Sequence, residues 1–221
     1  MMEFDPTILA FDTTGTEDSI SLYHKGVTTS KVLPRGGSQL QSSILVPSLQ
    51  SLLLTQNLSF KDVNFLATIS GPGSFTGIRI GLATVQGLLI AGHYHPVVPT
   101  LLELLAFAAI DKKNPSAKIL SIVDSKRGDY FCQTFTTQLA PCDEAQMLTL
   151  AEIQNFSKDI LLVSNKAVSE LPDLYVPQES VAALLIQFCQ HQAAGERGDR
   201  YQKVVPFYIR NPEFKKQKRF T

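Results

Sequence analysis

The passage that most restricts how this 221-residue chain can fold is Ser70–Gly81, SGPGSFTGIRIG, with four glycines and a proline between an apolar run and a helical pattern. Phe65–Ser70 (FLATIS) predicts a buried strand leading into it, and Ser74 to about Ala91 predicts a helix leading out. Glycine permits backbone approach where a Cβ would collide. One reading is a tight turn with close helix packing. The other is an anion docked at the helix N-terminus, helped by the Ser74 and Thr76 hydroxyls. The spacing excludes two familiar phosphate loops. No lysine follows Thr76 as a Walker A loop requires, and Gly73 to Gly77 is one residue too long for a dinucleotide fingerprint.

The helix after this loop is built from small residues: Gly77 and Gly81 lie one turn apart, and Ala83, Gly87 and Ala91 recur at four-residue spacing. An interior glycine costs a helix roughly 1 kcal/mol against alanine, so several of them need a compensating contact. A small-residue stripe lets another element approach closely, while Ile78, Ile80, Leu82, Val85, Leu88 and Leu89 cover most of the circumference. The pattern predicts burial on all sides, either by the chain's own sheet and helices or by a second chain. Composition does not choose between them.

Upstream, Thr7–Thr14 (TILAFDTT), Ser19–His24 and Val27–Leu33 predict short antiparallel strands. Apolar residues from Ser38 to about Asn57 recur at helical spacing, with Pro47 either kinking that helix or confining its regular part to the residues beyond the proline. Thr100 with Glu103 predicts a capping box for a helix over Leu101–Ile110. The polar break Asp111–Ala117 suggests a lobe boundary. Beyond it come a hairpin (Lys118–Asp124, Asp129–Thr136), a short helix over Leu150–Phe156, a strand at Ile160–Ser164 and an amphipathic helix over Glu179–Ala194. The expected organisation is an α/β chain with an N-terminal lobe, residues 1–111, joined by the C-terminal segment 195–221, and a smaller second lobe, residues 112–194.

Two aspartates end strands, Asp12 before Thr13-Thr14-Gly15 and Asp124 before Ser125-Lys126-Arg127-Gly128. Such a carboxylate can position a metal-bound water beside phosphate, or simply close an Asx turn. His93-Tyr94-His95 lacks a neighbouring third ligand and reads as a solvated turn. Three cysteines without C-x-x-C spacing argue against a disulfide framework. Lysine plus arginine equals aspartate plus glutamate, 20 each, which argues against a broad basic face for autonomous RNA binding. The run Lys215–Arg219 can touch phosphates or form a solvated terminus. No apolar run reaches the roughly 18 residues of a membrane span, and the acidic start lacks a secretory pattern, so the cytoplasm is expected.

SGPGSFTGIRIGLATVQGLL resembles the mark of the TsaB family. ILAFDTT resembles that family's opening strand, and QSSILVP, VVPTLLELLA, IVDSKRGDYF and PFYIRNP resemble later segments, so the resemblance spans about residues 7–212. It implies a two-lobed actin-like, sugar-kinase-like (ASKHA), glycoprotease-like fold. It also implies a non-catalytic subunit that scaffolds the catalytic TsaD paralogue with the TsaE ATPase during threonylcarbamoylation of tRNA beside the anticodon. The implied partner face comprises Leu45, Leu49 and Leu52 on one helix, with Gly77, Ile80, Gly81, Thr84, Gly87 and Leu88 on the next. The same face would support a homodimer of the isolated chain. No metal, catalytic residue or cofactor is expected beyond vestigial, weak ATP or ADP binding at the subunit interface, through Asp12, Thr13, Thr14, Gly71, Gly73 and Asp124. The paralogue's metal-binding histidines have no counterpart among Gln39, Gln41 and Ser43. The competing expectations are an independent actin-like ATPase or kinase and a metallopeptidase.

Overall fold

A computed structural model describes residues 5–33, 41–112, 118–156, 159–193 and 201–209. The polar break at 113–117, the loop 195–200, the start of the first helix at 38–40 and the basic run 215–219 lie outside the described residues.

Two sheets carry the chain. The first joins β1 (Ile8–Asp12), β2 (Asp18–His24), β3 (Val27–Leu33), β4 (Phe65–Ala67) and β5 (His95–Val97) in the order β3-β2-β1-β4-β5. β1 to β3 form an antiparallel meander, and β4 and β5 then add in parallel. The second joins β6 (Ile119–Asp124), β7 (Tyr130–Phe135), β8 (Gln146–Leu148) and β9 (Leu161–Ser164) in the order β8-β7-β6-β9. It repeats the first: an antiparallel meander, then a parallel strand beside its first member. This repetition is the two-lobed actin-like architecture expected from the resemblance.

Parallel pairs need crossover helices, and these set the layers. α1 (Gln41–Leu54) joins β3 to β4, α2 (Phe75–Ala91) joins β4 to β5, and both pack on one face of the first sheet. Leu45, Leu49, Leu52 and Leu53 of α1 enter the core with Leu9, Phe11, Ile20, Leu22, Leu66 and Val85. The opposite face carries Ile8, Ala10 and Ala67, in a core shared with α3 (Leu101–Ala109), α5 (Val181–Ala193) and the inner face of the second sheet. α4 (Leu150–Gln154) closes the far side, with Ile153 meeting Leu120, Ile122 and Cys132. The period-2 alternation of Ile8/Ala10 against Leu9/Phe11 thus feeds two cores from one strand.

The helices are exchanged between sheets. α5 follows the second sheet in sequence but packs on β1 and β2, while α3 precedes that sheet and packs on β6. α3 and α5 form the layer between the lobes, and Phe107 meets Phe188 edge-on at 5.3 Å.

Local signals explain most boundaries. Ser74 caps α2 by accepting the Gly77 N–H. Thr100 Oγ1 accepts the Glu103 N–H at 3.0 Å while Glu103 Oε2 accepts the Thr100 N–H at 2.9 Å, the capping box read from the sequence. Thr149 and Glu152 form a second capping box, whose hydrogen bonds from the Thr149 N–H and hydroxyl hold the Glu152 carboxyl below its usual range. α1 runs through Pro47 as one helix. The ring lies on the exposed side while four leucines are buried, and burial worth roughly 1.5–3 kcal/mol per leucine outweighs the ~3 kcal/mol cost of an interior proline. Among the described residues no helix is long and apolar enough to cross a membrane.

Candidate functional site

The end of β1 and the glycine loop are clipped together. Ser74 N–H donates to the Thr14 carbonyl at 2.9 Å, and Thr13 Oγ1 donates to the Gly77 carbonyl at 2.7 Å. α2 therefore lies directly on the Thr13–Thr14 backbone. A Cβ on Gly77 would stand 1.8 Å from the Thr13 carbonyl oxygen, and one on Gly81 2.9 Å from both the Thr13 and Thr68 hydroxyl oxygens. Gly71, at φ +133°, faces the Phe207 carbonyl, which a Cβ would meet at 2.4 Å. These contacts require glycine, and they decide for close packing at this loop.

The C-terminal segment 201–209 crosses the loop. Val98 N–H donates to the Tyr201 carbonyl at 2.9 Å, Phe207 N–H to the Ser70 carbonyl at 2.8 Å, and Gln86 Nε2 to the Val204 carbonyl at 3.0 Å. Tyr208 then rests against Phe75, with ring centroids 5.4 Å apart, and Arg79 stacks over Phe75 at 3.9 Å.

The strand-end carboxylate is committed to its own turn. Asp12 is 2% exposed, and its Oδ1 accepts the Thr14 N–H at 2.8 Å and the Thr14 hydroxyl at 2.7 Å. This is the Asx turn, with a threonine hydroxyl added. Asp124 behaves similarly on the second lobe, accepting the Lys126 N–H at 2.7 Å, but it remains exposed. Ser125 hydrogen-bonds Asp129 across the same turn. The neighbouring Tyr130 phenol is held above its usual range, first by burial and then by the Asp124 and Glu170 charges.

Between the lobes lies a cleft of about 280 Å³. Thr14, Gly15, Thr16, Gly73 and Ser74 line it from the first lobe; Val123, Asp124, Ser125, Lys126, Phe131, Asn165 and Lys166 line it from the second, with Leu101 of α3 at its base. Of the residues expected to meet a nucleotide, Thr14, Gly73 and Asp124 reach this cleft. Asp12 and Thr13 are buried behind it, and Gly71 is covered by residue 207. Nothing local in the sequence marks Lys126, Lys166 and Asn165 as cleft residues; only the juxtaposition of two strand ends does.

The expected partner face also changes. Leu45, Leu49 and Leu52 are at most 1% exposed, in the chain's own core, and Gly77 and Gly81 are buried against the end of β1. Those five cannot meet a partner. Nor is α2 buried all round: Ala83, Gln86, Gly87 and Ala91 are exposed, and Ile90 is 90% exposed. Ile80, Thr84 and Leu88 are half-buried beside them. Phe75, Thr76, Ile80, Ala83 and Thr84 frame an open depression of about 510 Å³ with Arg79 and with Ser42 of α1. Val46 and Leu54 of α1 are exposed too.

Metal chemistry finds few ligands. Among the described residues no group of three His, Cys, Asp or Glu converges. Gln41, at the start of α1, donates to Asp18 Oδ1 at 2.7 Å and to the Thr13 carbonyl at 3.1 Å, a structural tie between helix and strand ends. His95 tilts against Phe65 at 5.4 Å, and His24 Nδ1 lies 2.9 Å from Thr7 Oγ1. Cys132 is buried, which pushes its thiol up to about 12, and buried Cys189 is raised further still.

Fold and site together define a two-lobed actin-like protein with a small interlobe cleft, a sealed strand-end carboxylate and an open helical face. The family model for TsaD, tRNA N6-adenosine threonylcarbamoyltransferase, matches residues 22–173, and the chain belongs to that family. Its curated relatives carry the TsaB name: tRNA threonylcarbamoyladenosine biosynthesis protein TsaB of Escherichia coli K12 is 32% identical over 126 residues, 56% of this chain and 52% of that protein. The TsaB of Haemophilus influenzae is 30% identical over 129 residues, 58% and 53% of the two chains. The matches thus span about half the length of these relatives. The solved structure of YeaZ from Pseudomonas aeruginosa covers 92% of this chain and 99% of its own, with TM-score 0.68 and 22% identity, and shares the fold.

Proposed function

We propose that the chain is a non-catalytic subunit in N6-threonylcarbamoyladenosine modification of tRNA beside the anticodon. It holds a catalytic TsaD-type paralogue in an active arrangement and works with a TsaE-type ATPase in the cytoplasm. The family assignment and the names of the relatives support the pathway. The observation that carries the subunit role is the open face of α2, where Ala83, Gly87 and Ile90 are exposed and Ile80, Thr84 and Leu88 half-buried, together with the exposed Val46 and Leu54 of α1. An apolar helical surface with small residues at its centre suits another helix pair, because the backbones can approach closely. A second copy of the chain would fit the same surface in the absence of the paralogue. The non-catalytic reading is supported by the engagement of Asp12 in its own turn and of Gln41 with Asp18 and Thr13.

Co-purification with a TsaD-type paralogue tests this reading. The wild-type chain is expected to form a stoichiometric complex. Ala83→Arg, at an exposed position, is expected to abolish the complex without altering the melting temperature of the isolated chain. Undiminished complex formation by that variant overturns the assignment of the face.

A further inference from the structure

α1 and α2 together carry one charged side chain, Arg79, and it is exposed on the open face. Its guanidinium stacks on Phe75 at 3.9 Å from the ring centroid, and its Nε donates to the Tyr208 hydroxyl at 3.4 Å. Tyr208 in turn rests on Phe75, with ring centroids 5.4 Å apart. Helix and C-terminal segment thus hold the cation in one place, so little side-chain freedom remains to be lost when a second chain arrives. The Nε edge is taken by Tyr208, and the two Nη groups are left to donate outward. Among the described residues no carboxylate lines the depression that Arg79 shares with Ile80, Ala83 and Thr84.

A cation set among apolar side chains limits what can cover it. A covering surface without an acid strips water from the guanidinium and leaves its charge unpaired, which is costly. A second copy docked through the same face is such a surface, because α1, α2 and residues 201–209 contain no Asp or Glu. A helix pair that sets a carboxylate among apolar side chains is the complementary surface, since that carboxylate can accept two parallel hydrogen bonds from the guanidinium. Taking this face as the subunit contact, as proposed above, we infer that Arg79 selects its occupant: it admits a TsaD-type paralogue presenting an Asp or Glu from an apolar helix, and it disfavours a second copy of this chain. Repulsion of the wrong partner then accompanies attraction of the right one. A neutral side chain at position 79 shifts the preference from the paralogue toward self-association instead of weakening both.

Two dissociation constants of the full chain test this, one with the paralogue by calorimetry and one with itself by sedimentation equilibrium. Arg79→Met keeps an apolar stem on Phe75 and removes the charge. It is expected to weaken the heterocomplex about thirtyfold or more and to tighten self-association about tenfold, with the melting transition retained. Arg79→Lys keeps the charge and loses the planar fork, so it should weaken the heterocomplex while self-association stays as weak as in the wild type. A heterocomplex unchanged by Arg79→Met, self-association not tightened by it, or self-association tightened equally by Arg79→Lys overturns the selection. Any of these results, with Ala83→Arg still breaking the heterocomplex, removes the selection and leaves the subunit face standing. An Ala83→Arg chain that binds the paralogue normally removes the face and the selection together.

Discussion

One substitution made twice on α2 separates internal packing from an open surface. In Gly77→Ala the new methyl would sit 1.8 Å from the Thr13 carbonyl oxygen and 2.7 Å from its carbon, and both are backbone atoms at the end of the central strand. No rotamer relieves the clash. The helix must retreat by about 1.2 Å to bring that contact to the shortest distance real Cβ atoms tolerate, which strains the 2.7 Å bond from the Thr13 hydroxyl to the Gly77 carbonyl. Overpacking costs roughly 1–3 kcal/mol and a weakened buried hydrogen bond about 1 more, against a helix-propensity gain of about 1 kcal/mol, so a net loss of roughly 1–3 kcal/mol is expected. In Gly87→Ala nothing lies within 4 Å of the new methyl, and the same propensity gain stands alone. Thermal melting of the isolated chain should fall by roughly 2–12 °C for Gly77→Ala and rise by about 2–4 °C for Gly87→Ala. A Gly77→Ala chain as stable as wild type, or a destabilised Gly87→Ala chain, would refute the assignment of Gly77 to packed and Gly87 to open surroundings.

Other expectations rest on buried polar groups and thiols. Thr68 Oγ1 is buried with no hydrogen-bond partner, so Thr68→Val should raise the urea midpoint by an amount equivalent to about 1 kcal/mol. Thr100→Ala removes the cap of α3 and should cost about 1 kcal/mol in the same assay. Iodoacetamide at pH 8 should label Cys142 in the native chain and all three cysteines in urea, with mass spectrometry as the readout, since Cys132 and Cys189 are buried. The Cys132 thiol is raised from 9.0 to about 12 by burial, so between those values the unfolded chain loses a proton that the folded chain keeps. Stability measured by denaturant titration should accordingly decline as pH rises from 9 toward 12.

Much of the fold was written in local patterns. The Asp12-Thr13-Thr14 turn, the capping box at Thr100 and Glu103, the meander of the first sheet and the β6–β7 hairpin each rest on residues a few positions apart. The features that could not be read this way depend on long-range choices. β8 is only three residues long, and it exists because Gln146–Leu148 can pair with β7. The exchange of α3 and α5 between sheets has no signature along the chain, since either helix is apolar enough for either sheet. The glycine stripe was legible as close packing. Its division into Gly77 and Gly81, which meet β1, and Gly87, which meets nothing, needed the fold. Likewise Lys126 and Lys166 become cleft residues only once β6 and β9 lie side by side.

That this chain supports the modification without performing it is tested most directly on the product itself. Nucleosides would be measured by mass spectrometry from tRNA incubated with a reconstituted TsaD–TsaE system, with this chain omitted, added, or added as Ala83→Arg. The modified nucleoside should accumulate with the wild-type chain and stay at background without it or with the variant. Its formation by this chain in the absence of the paralogue, or at full yield with Ala83→Arg, would contradict the claim.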